Sequence, residues 1–344
     1  MKKTPTIALD AMGGDIGASV VVSAAVHAIG KNANLNLILV GDEDVIKSEL
    51  ATNNATTSDR LRILHASEKV EMDELPSRAL RGKKDSSMRI AINLVKDGVA
   101  DACVSAGNTG ALMATARFVL KTLQGIDRPA ICSLMPTIEG TTHMLDLGAN
   151  VDTSAENLLE FAVMGSVLVK AIDGIEKPTV GLLNIGAEEI KGNERVKEAA
   201  RLLSSSNLNY IGFIEGDDIY KGTVNVVVCD GFIGNVALKS SEGVAKMIIH
   251  YLRTAFNHNL YSKLVGLLAK PVLYRFKKSV DPRRYNGASL LGLQGIVIKS
   301  HGGADALAFY TAIRQAILEV TENVPERISV ELETHLANTN KVSM

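Results

Sequence analysis

The feature that most constrains the fold is an alternation of short apolar segments with longer helical segments along almost the whole chain. Two helical segments have clear ends: residues 19–29 stop at Gly30, and residues 155–169 follow a predicted capping box of Thr153 and Glu156. This order is typical of βαβ units, so we expect an α/β fold with a mainly parallel sheet covered on both faces. The predicted strands are residues 6–10, 35–40, 61–65, 102–105, 130–135, 143–147, 180–184, 209–213, 224–229 and 295–299.

The composition fits one globular unit. Of 344 residues, 46% are hydrophobic and 22% are charged, which excludes a disordered chain. The sequence has no internal repeat and no Pro/Ser-rich linker, so we expect a single domain over residues 1–344. A net charge of −1 and an aromatic content of 4% argue against nucleic acid as a partner.

Cysteine usage and hydropathy restrict the compartment and the kinds of site that we expect for this chain. Cys103, Cys132 and Cys229 lie in apolar segments without a CxxC pair, so we expect buried thiols in a reducing compartment. Histidine and cysteine spacing is not typical of a metal site, and we expect neither metal nor cofactor. Asp10 and a glycine pair interrupt the first apolar segment, which reads as a strand and not as a signal peptide. No uncharged apolar stretch reaches the ~18 residues that a spanning helix needs.

Six predicted strands end in turns rich in Gly, Asn, Asp or His. In an open parallel sheet these ends face the ligand crevice, so we expect the six turns to line one site. Each turn alone also has a purely structural interpretation, because Gly and Asn are usual turn residues. The candidate substrate-binding residues in these turns are Asp10, Gly13, Gly14, Asp15, Ser105, Gly107, Asn108, Thr109, Gly110, Asn150, Asn184, Gly186, Glu188, Asn193 and Gly234.

The expected ligand is an anion. Residues 108–110 and 234–235 fall at predicted helix starts, where N–H groups and the helix dipole favour phosphate or carboxylate. Lys191 is the candidate cation, although the charged residues around it could also be a solvated first helical turn. His301 follows a strand and precedes two glycines, which places it at the crevice edge. The glycine spacing matches neither nucleotide-binding fingerprint, and there is no GxSxG nucleophile.

A second signal lies at residues 253–284. Apolar side chains recur there at helical spacing until Pro271 interrupts them, and residues 263–284 hold seven basic residues and one acidic residue. A basic amphipathic helix suits an anionic surface, either phospholipid or an acidic protein. The alternative is a helix that packs on its own core or on a dimer mate. The seven basic residues are Lys263, Lys270, Arg275, Lys277, Lys278, Arg283 and Arg284.

Several unusual strings resemble the bacterial phosphate acyltransferase family over nearly the whole chain. They are LDAMGGD, SAGNTGA, GIDRPA, DLGANVD, VMGS, GLLNIG with KGNE, DGFIGN, and SLLGL with KSHG. The resemblance implies a Rossmann-like three-layer α/β/α sandwich of the isopropylmalate dehydrogenase type and a homodimer. It also implies conversion of acyl-(acyl carrier protein) and inorganic phosphate to acyl phosphate at the start of phospholipid synthesis. The expected location is the cytoplasm, with peripheral association to the inner face of the cell membrane.

This chemistry explains the missing nucleophile, because phosphate itself attacks the thioester. We expect Lys191 and Asn235 to be catalytic, with Asp230 or His301 managing a proton. Three other functions remain open at this point. A phosphate acetyl- or butyryltransferase would use acyl-coenzyme A; a metal-dependent dehydrogenase would need an aspartate cluster that the sequence lacks; a scaffold would bind acyl carrier protein without turnover.

Overall fold

The structure, a computed structural model, describes residues 4–279 and 281–342. The strands are β1 (Thr6–Asp10), β2 (Asn36–Gly41), β3 (Leu61–His65), β4 (Ala102–Ser105), β5 (Ala130–Thr137), β6 (Gly140–Leu145), β7 (Thr179–Leu183), β8 (Asn209–Ile214), β9 (Val226–Val228), β10 (Ala288–Leu291) and β11 (Ile296–Lys299). The α-helices are α1 (Ala18–Lys31), α2 (Glu43–Thr52), α3 (Pro76–Gly82), α4 (Ser87–Lys96), α5 (Thr109–Leu120), α6 (Ala155–Asp173), α7 (Glu194–Ser204), α8 (Gly231–Asn257), α9 (Leu260–Ser279), α10 (Ala306–Thr321) and α11 (Val324–Val342). A short 3-10 helix spans Asp218–Tyr220.

The strands form one sheet in the order β3-β2-β1-β4-β11-β10-β5-β6-β9-β7-β8. Both flanks are parallel, which confirms the predicted mainly parallel α/β fold. In the middle, β10 is antiparallel to β11 and to β5, and β5 is antiparallel to β6. Three reversals in succession leave the β6–β8 flank running opposite to the β1–β4 flank. The sequence analysis did not predict this reversal.

Helices cover both faces of the sheet. Along β1, Ile7 and Leu9 pack with α1 and α10, whereas Ala8 between them packs with α4 and α5 on the other face. The second flank repeats this arrangement, with Leu182 of β7 in a cluster with α6, α7 and α11. Because helices cover both faces of the sheet, successive residues along these strands are apolar. The three cysteines are free and buried, which confirms the expectation for their side chains.

The predicted capping box of α6 is wrong by one residue. Ser154 is the N-cap: its hydroxyl accepts a hydrogen bond from the Asn157 N–H at 3.2 Å, and the Asn157 side chain accepts one from the Ser154 N–H at 3.1 Å. Thr153 is buried in front of the helix and does not cap it. Two overlapping S/T-x-x-polar patterns stand side by side in the sequence, and tertiary packing selects the second.

A serine of strand β10 hydrogen-bonds to an acidic side chain that is buried in the core. The hydroxyl of Ser289, on β10, hydrogen-bonds to the carboxylate of Glu319, on α10, and Gln315 donates a second hydrogen bond to that carboxylate at 2.9 Å. The side chain of Glu319 is 3% exposed. Burial raises the pKa of Glu319 to about 7, against the effect of the two hydrogen bonds.

Helices α8 and α9 form a helical hairpin that carries many exposed apolar side chains. They pack on each other near Phe256 and Gly266. Helix α9 continues through Pro271, so the predicted interruption there is wrong; the proline removes one backbone N–H, and the rest of the helix persists. The side chains of Lys277 and Lys278 lie outside the described part. Exposed apolar residues of the hairpin include Val244, Met247, Ile248, Tyr251, Leu260, Leu264, Leu267, Leu268 and Val272. Among the described helices, none combines the length and the hydropathy needed to cross a membrane.

Candidate active site

The six Gly/Asn-rich turns form two groups of three. The turns after β1, β4 and β11 lie at the carboxyl edge of one flank, and those after β6, β7 and β9 lie at the carboxyl edge of the other. The reasoning that all six share one edge of a parallel sheet is therefore wrong, because the central reversals turn the second flank around. From β1 to β9 the sheet takes six steps, and at about 20–25° of twist per step the strand direction rotates by roughly 120–150°. That rotation brings the two carboxyl edges back toward a common side.

The first group is organised by a row of last residues on three adjacent strands. Asp10 pairs in register with Ser105, and Ser105 pairs with Lys299. The buried Asp10 carboxylate accepts hydrogen bonds from the Ser105 hydroxyl at 2.6 Å and from the Ser87 hydroxyl at 2.5 Å. Burial raises the pKa of Asp10, and these hydrogen bonds oppose the rise. Gly13 fits against this row only without a side chain, because a Cβ would lie 2.5 Å from the Asp10 carboxylate.

Lys299 is a site residue that the sequence analysis missed. Its side chain is 8% exposed, and its ammonium group donates hydrogen bonds to the carbonyls of Ala106, at 3.3 Å, and of Ser300. Burial lowers the pKa of Lys299 to about 8, although the charges of Asp10 and Asp15 oppose the fall. The available signal was a lysine at the end of an otherwise apolar strand, directly before the His-Gly-Gly turn.

His301 lies on the exposed rim of the first group. The Gly303 N–H donates to Nδ1 at 3.1 Å, so the neutral ring carries its proton on Nε2. Partial burial of the ring and the positive charge of Lys239 lower the pKa of His301. Nearby, the Asp15 N–H donates to the Gly302 carbonyl at 2.9 Å, which joins the turns after β1 and β11. Gly14 adopts a φ of 94°, which favours glycine at this junction.

The start of α5 uses its polar side chains for structure. The Asn108 side chain caps the helix by accepting a hydrogen bond from the Ala111 N–H, and its amide donates to the carbonyls of Met72 and Glu74. Thr109 and Gly110 are exposed in the first turn. The Gly107 N–H donates to the Ser105 hydroxyl at 3.0 Å. Asn108 therefore shapes the loop, and the exposed first turn is the part that faces solvent.

The second group is built on Asp146, which the sequence analysis did not select. Its fully buried carboxylate accepts hydrogen bonds from the backbone of Ile131, Ala149 and Asn150 and from the Asn150 side chain, at 2.7–3.1 Å. Burial raises the pKa of Asp146 against these four bonds. Asn150 also donates to the Pro129 carbonyl at 2.8 Å, so its role here is to hold the turn.

Helix α8 begins against this turn. A Cβ at Gly231 would lie 2.5 Å from the Asn150 carbonyl oxygen, and one at Gly234 would overlap the Asp146 carbonyl. Only glycine permits this close approach at both positions. One turn along, Asn235 is exposed and lies beside Gly148. The first turn of α8 thus presents Asn235 to solvent while its glycines touch the sheet.

Asp230 caps α8 and is paired with a cation. One carboxylate oxygen accepts from the Ile233 N–H at 2.8 Å, and the other accepts from Arg195 at 2.8 Å. Arg195, on α7, also donates to the Thr153 carbonyl at 3.2 Å. Arg195 therefore neutralises a buried carboxylate that would otherwise repel an anion at the α8 N-terminus. The sequence analysis missed this arginine, which looks like an ordinary residue of an amphipathic helix.

Lys191 stands in the exposed loop between β7 and α7. It forms an ion pair with Glu188 at 2.7 Å, and this partner raises the pKa of Lys191. The Asn184 amide donates to the carbonyls of Gly186 and Lys191, which folds the loop back over the end of β7. Asn193 caps α7 by accepting a hydrogen bond from the Val196 N–H, so its side chain is structural. An anion that binds the Lys191 ammonium group would have to displace the Glu188 carboxylate from it.

Helix α8 links the two groups. It starts at the turn after β9, and Lys239 and Glu242, two to three turns along, lie close enough to His301 to act on its charge. The helix therefore spans the space between the two carboxyl edges. Within the described part of the chain, no cluster of three or more His, Cys, Asp or Glu side chains could hold a metal ion.

Comparisons with known proteins agree with this architecture. A family model described as "Fatty acid synthesis protein" matches residues 5–327. The chain is 65% identical over 332 residues to the phosphate acyltransferase of Nitrosococcus oceani, covering 96% of this chain and 98% of that protein. It is 62% identical over 335 residues to the phosphate acyltransferase of Methylococcus capsulatus, covering 97% and 99%.

Two solved structures share the fold. A phosphotransacetylase from Streptococcus pyogenes matches with a TM-score of 0.63 at 19% identity, covering 94% of each chain. A branched-chain phosphotransacylase from Enterococcus faecalis matches with a TM-score of 0.55 at 14% identity, covering 92% of this chain and 99% of that one. At these identities the likeness shows the fold alone. With the family model and the relatives above, it leads to one conclusion: the chain belongs to the fatty acid synthesis protein family, in which its curated relatives are named phosphate acyltransferase.

Proposed function

We propose that the chain transfers the acyl group of long-chain acyl-(acyl carrier protein) to inorganic phosphate, releasing acyl phosphate and free acyl carrier protein. The observation that carries the proposal is the juxtaposition at the second group of turns. There, Asn184, which holds the Lys191 loop, lines one cavity with the first turn of α8, and Arg195 already neutralises the carboxylate that caps this helix. A helix N-terminus and a lysine side by side suit a phosphate.

In this mechanism a phosphate oxygen attacks the thioester carbonyl carbon. A carbon–oxygen bond forms, the carbon–sulfur bond breaks, and the departing thiolate takes up a proton. Lys191 and Asn235 bind phosphate and steady the negative charge that develops on the carbonyl oxygen. No nucleophilic side chain is needed, since phosphate supplies the nucleophile.

The two proton-managing candidates differ in how they are held. The Asp230 carboxylate is buried, caps α8 and pairs with Arg195, so it supports the site by fixing the helix. His301 is on the rim, and its Nε2 carries the ring proton that can hydrogen-bond the departing thiolate. We assign the interaction with the leaving group to His301. The buried row of Asp10, Ser105 and Lys299 supports the turn that carries His301 from below.

The test is thiol release from palmitoyl-(acyl carrier protein) with and without inorganic phosphate, with palmitoyl-coenzyme A as the competing donor. We expect phosphate-dependent release from the carrier-protein donor and acyl phosphate that hydroxylamine traps. Preference for the coenzyme A donor would replace the proposed donor. Binding of acyl carrier protein without release from either donor would favour a scaffold and refute the enzyme.

Variants assign the residues. Lys191→Ala and Asn235→Ala should each lose most of the turnover while their circular dichroism stays unchanged. The matched control is Lys197→Ala, since Lys197 forms a similar surface ion pair with Glu194 on α7 but lies outside the Lys191 loop. Near-normal turnover in both Lys191→Ala and Asn235→Ala would refute the assignment.

We also propose that the α8–α9 hairpin is an interaction surface. Many of its apolar side chains are exposed on two helices that pack together, and grouped exposed apolar side chains mark interaction sites, which supports a homodimer through this hairpin. Light scattering should give twice the monomer mass, and Ile249→Glu, on a side of α8 away from the cavity face, should reduce the measured mass to that of one monomer. A monomeric wild type would refute the dimer.

The basic residues of the hairpin support peripheral contact with the inner face of the cell membrane. Lys263 and Lys270 accompany exposed leucines on α9, a combination that suits an anionic lipid surface. We expect sedimentation with phosphatidylglycerol vesicles at low salt and none with phosphatidylcholine vesicles. The double variant Lys263→Glu/Lys270→Glu should lose binding, and equal binding to both vesicle types would refute the contact.

A further inference from the structure

A cavity of about 430 Å³ lies beside the proposed phosphate site. One wall is α8, through its first three turns. The other wall is the end of β7 with the 3-10 helix Asp218–Tyr220. The lining is mainly apolar, with Leu183, Ile219, Phe232, Ile233 and Val236 among its members.

The cavity is elongated along the helix. Its α8 residues run from Phe232 to Ser241 and recur at helical spacing on one face, which spans about 13 Å at 1.5 Å per residue. At the proposed phosphate end it includes Asn184, the residue that holds the Lys191 loop. Near the other end, Ser241 lies at one edge of this face of α8, and its hydroxyl contacts the Tyr220 hydroxyl there.

The same face of α8 stays apolar beyond the cavity. Val244, Met247, Ile248 and Tyr251 continue the stripe toward the hairpin, and all four are exposed. An apolar path therefore runs from the site, through the cavity and out along α8. Its shape suits a linear hydrocarbon better than a compact or polar group.

We propose that this cavity binds the linear acyl chain of the thioester, with the reacting carbonyl at the start of α8 and the chain tail leaving along the Val244–Tyr251 stripe. The inference rests on the proposed function and adds to it the place and the length limit of the acyl group. An extended chain advances about 1.2 Å per bond, so the cavity encloses roughly the first eleven carbons. Longer chains place their remaining carbons on the stripe.

The small residue Ala237 faces the middle of this path and permits a direct test. Ala237→Phe would obstruct the cavity at about the fifth or sixth carbon and should block palmitoyl but not butanoyl groups. We expect the ratio of the butanoyl to the palmitoyl rate, measured as thiol release from acyl-(acyl carrier protein), to rise more than tenfold. The matched control is Ala245→Phe, an exposed position on α8 outside the cavity, which should leave the ratio unchanged.

Ser240→Phe, one turn further along the same face, provides a second obstruction should Ala237→Phe fail to fold. It should spare octanoyl groups and select against palmitoyl in the same direction. A folded Ala237→Phe or Ser240→Phe enzyme with the wild-type ratio would overturn the acyl-chain assignment. Absence of turnover with every donor in the wild type would instead overturn the proposed function, so the two failures are distinguishable.

Discussion

Replacing Glu319 by glutamine tests whether this buried carboxyl group makes the free energy of unfolding depend on pH. The carboxyl group has a pKa of about 7 in the folded chain and an ordinary value of 4.5. Between these two values the unfolded chain loses the proton first, so the free energy of unfolding falls as pH rises. At 1.36 kcal/mol per pKa unit, the loss reaches about 3.4 kcal/mol above pH 7.

Glu319→Gln removes this loss, because an uncharged amide oxygen can still accept from Ser289 and Gln315. In urea unfolding, the variant should match the wild type near pH 4 and exceed it by about 3 kcal/mol at pH 8. The control is Glu333→Gln, an exposed position on α11, which should change stability by less than about 0.5 kcal/mol at either pH. The same gain at both pH values, or no gain at pH 8, would refute a buried carboxyl with a raised pKa.

Three further predictions concern the site. Gly231→Ala should abolish turnover and lower the melting temperature, because its Cβ meets the Asn150 carbonyl, whereas Gly243→Ala, in open space on the same helix, should raise stability by up to about 1 kcal/mol. Arg195→Met should lower the free energy of unfolding by about 3–5 kcal/mol by stranding the Asp230 carboxylate, while Arg201→Met on the exposed face of α7 should change it little; equal urea midpoints for the two would contradict this. Wild-type stability should rise between about pH 8 and 10.5 as Lys299 loses its proton, and Lys299→Met should lack that rise; parallel pH profiles would exclude the buried ammonium.

Local sequence was sufficient for the flanks of the sheet. The ten predicted strands all occur; the inner ones are short apolar segments buried on both faces, and the edge strands β3 and β8 are partly exposed. Strand β10 was missed; its Ser289 is buried, and the partner of the Ser289 hydroxyl, Glu319, comes from α10, 30 residues further along the chain. The reversal of the second flank was missed for a similar reason: strand direction depends on which strands pair, and β10 pairs with β5, far away in sequence.

The turns that carry the site were found, but the function of their side chains was not fully predictable. An asparagine can bind an anion or cap a helix, and in the structure both Asn108 and Asn193 cap helices. Asp146 and Lys299 act as buried charges, and burial is a property of the whole fold. A single sequence shows where polar groups leave the strands, while neighbours from other segments decide which of them stay accessible.

Helix α8 lines the cavity and also connects the Asp146 turn to the hairpin. Its 27 residues make a rod of about 40 Å, with one end wedged by glycines against the Asp146 turn and the other inside the exposed hairpin. A tilt imposed on the far end by any surface that engages the hairpin becomes a displacement of Asn235 at the near end. By reciprocity, whatever ligand fixes the near end biases the hairpin toward one orientation. The start of α8 and the hairpin are thus two ends of one rigid element.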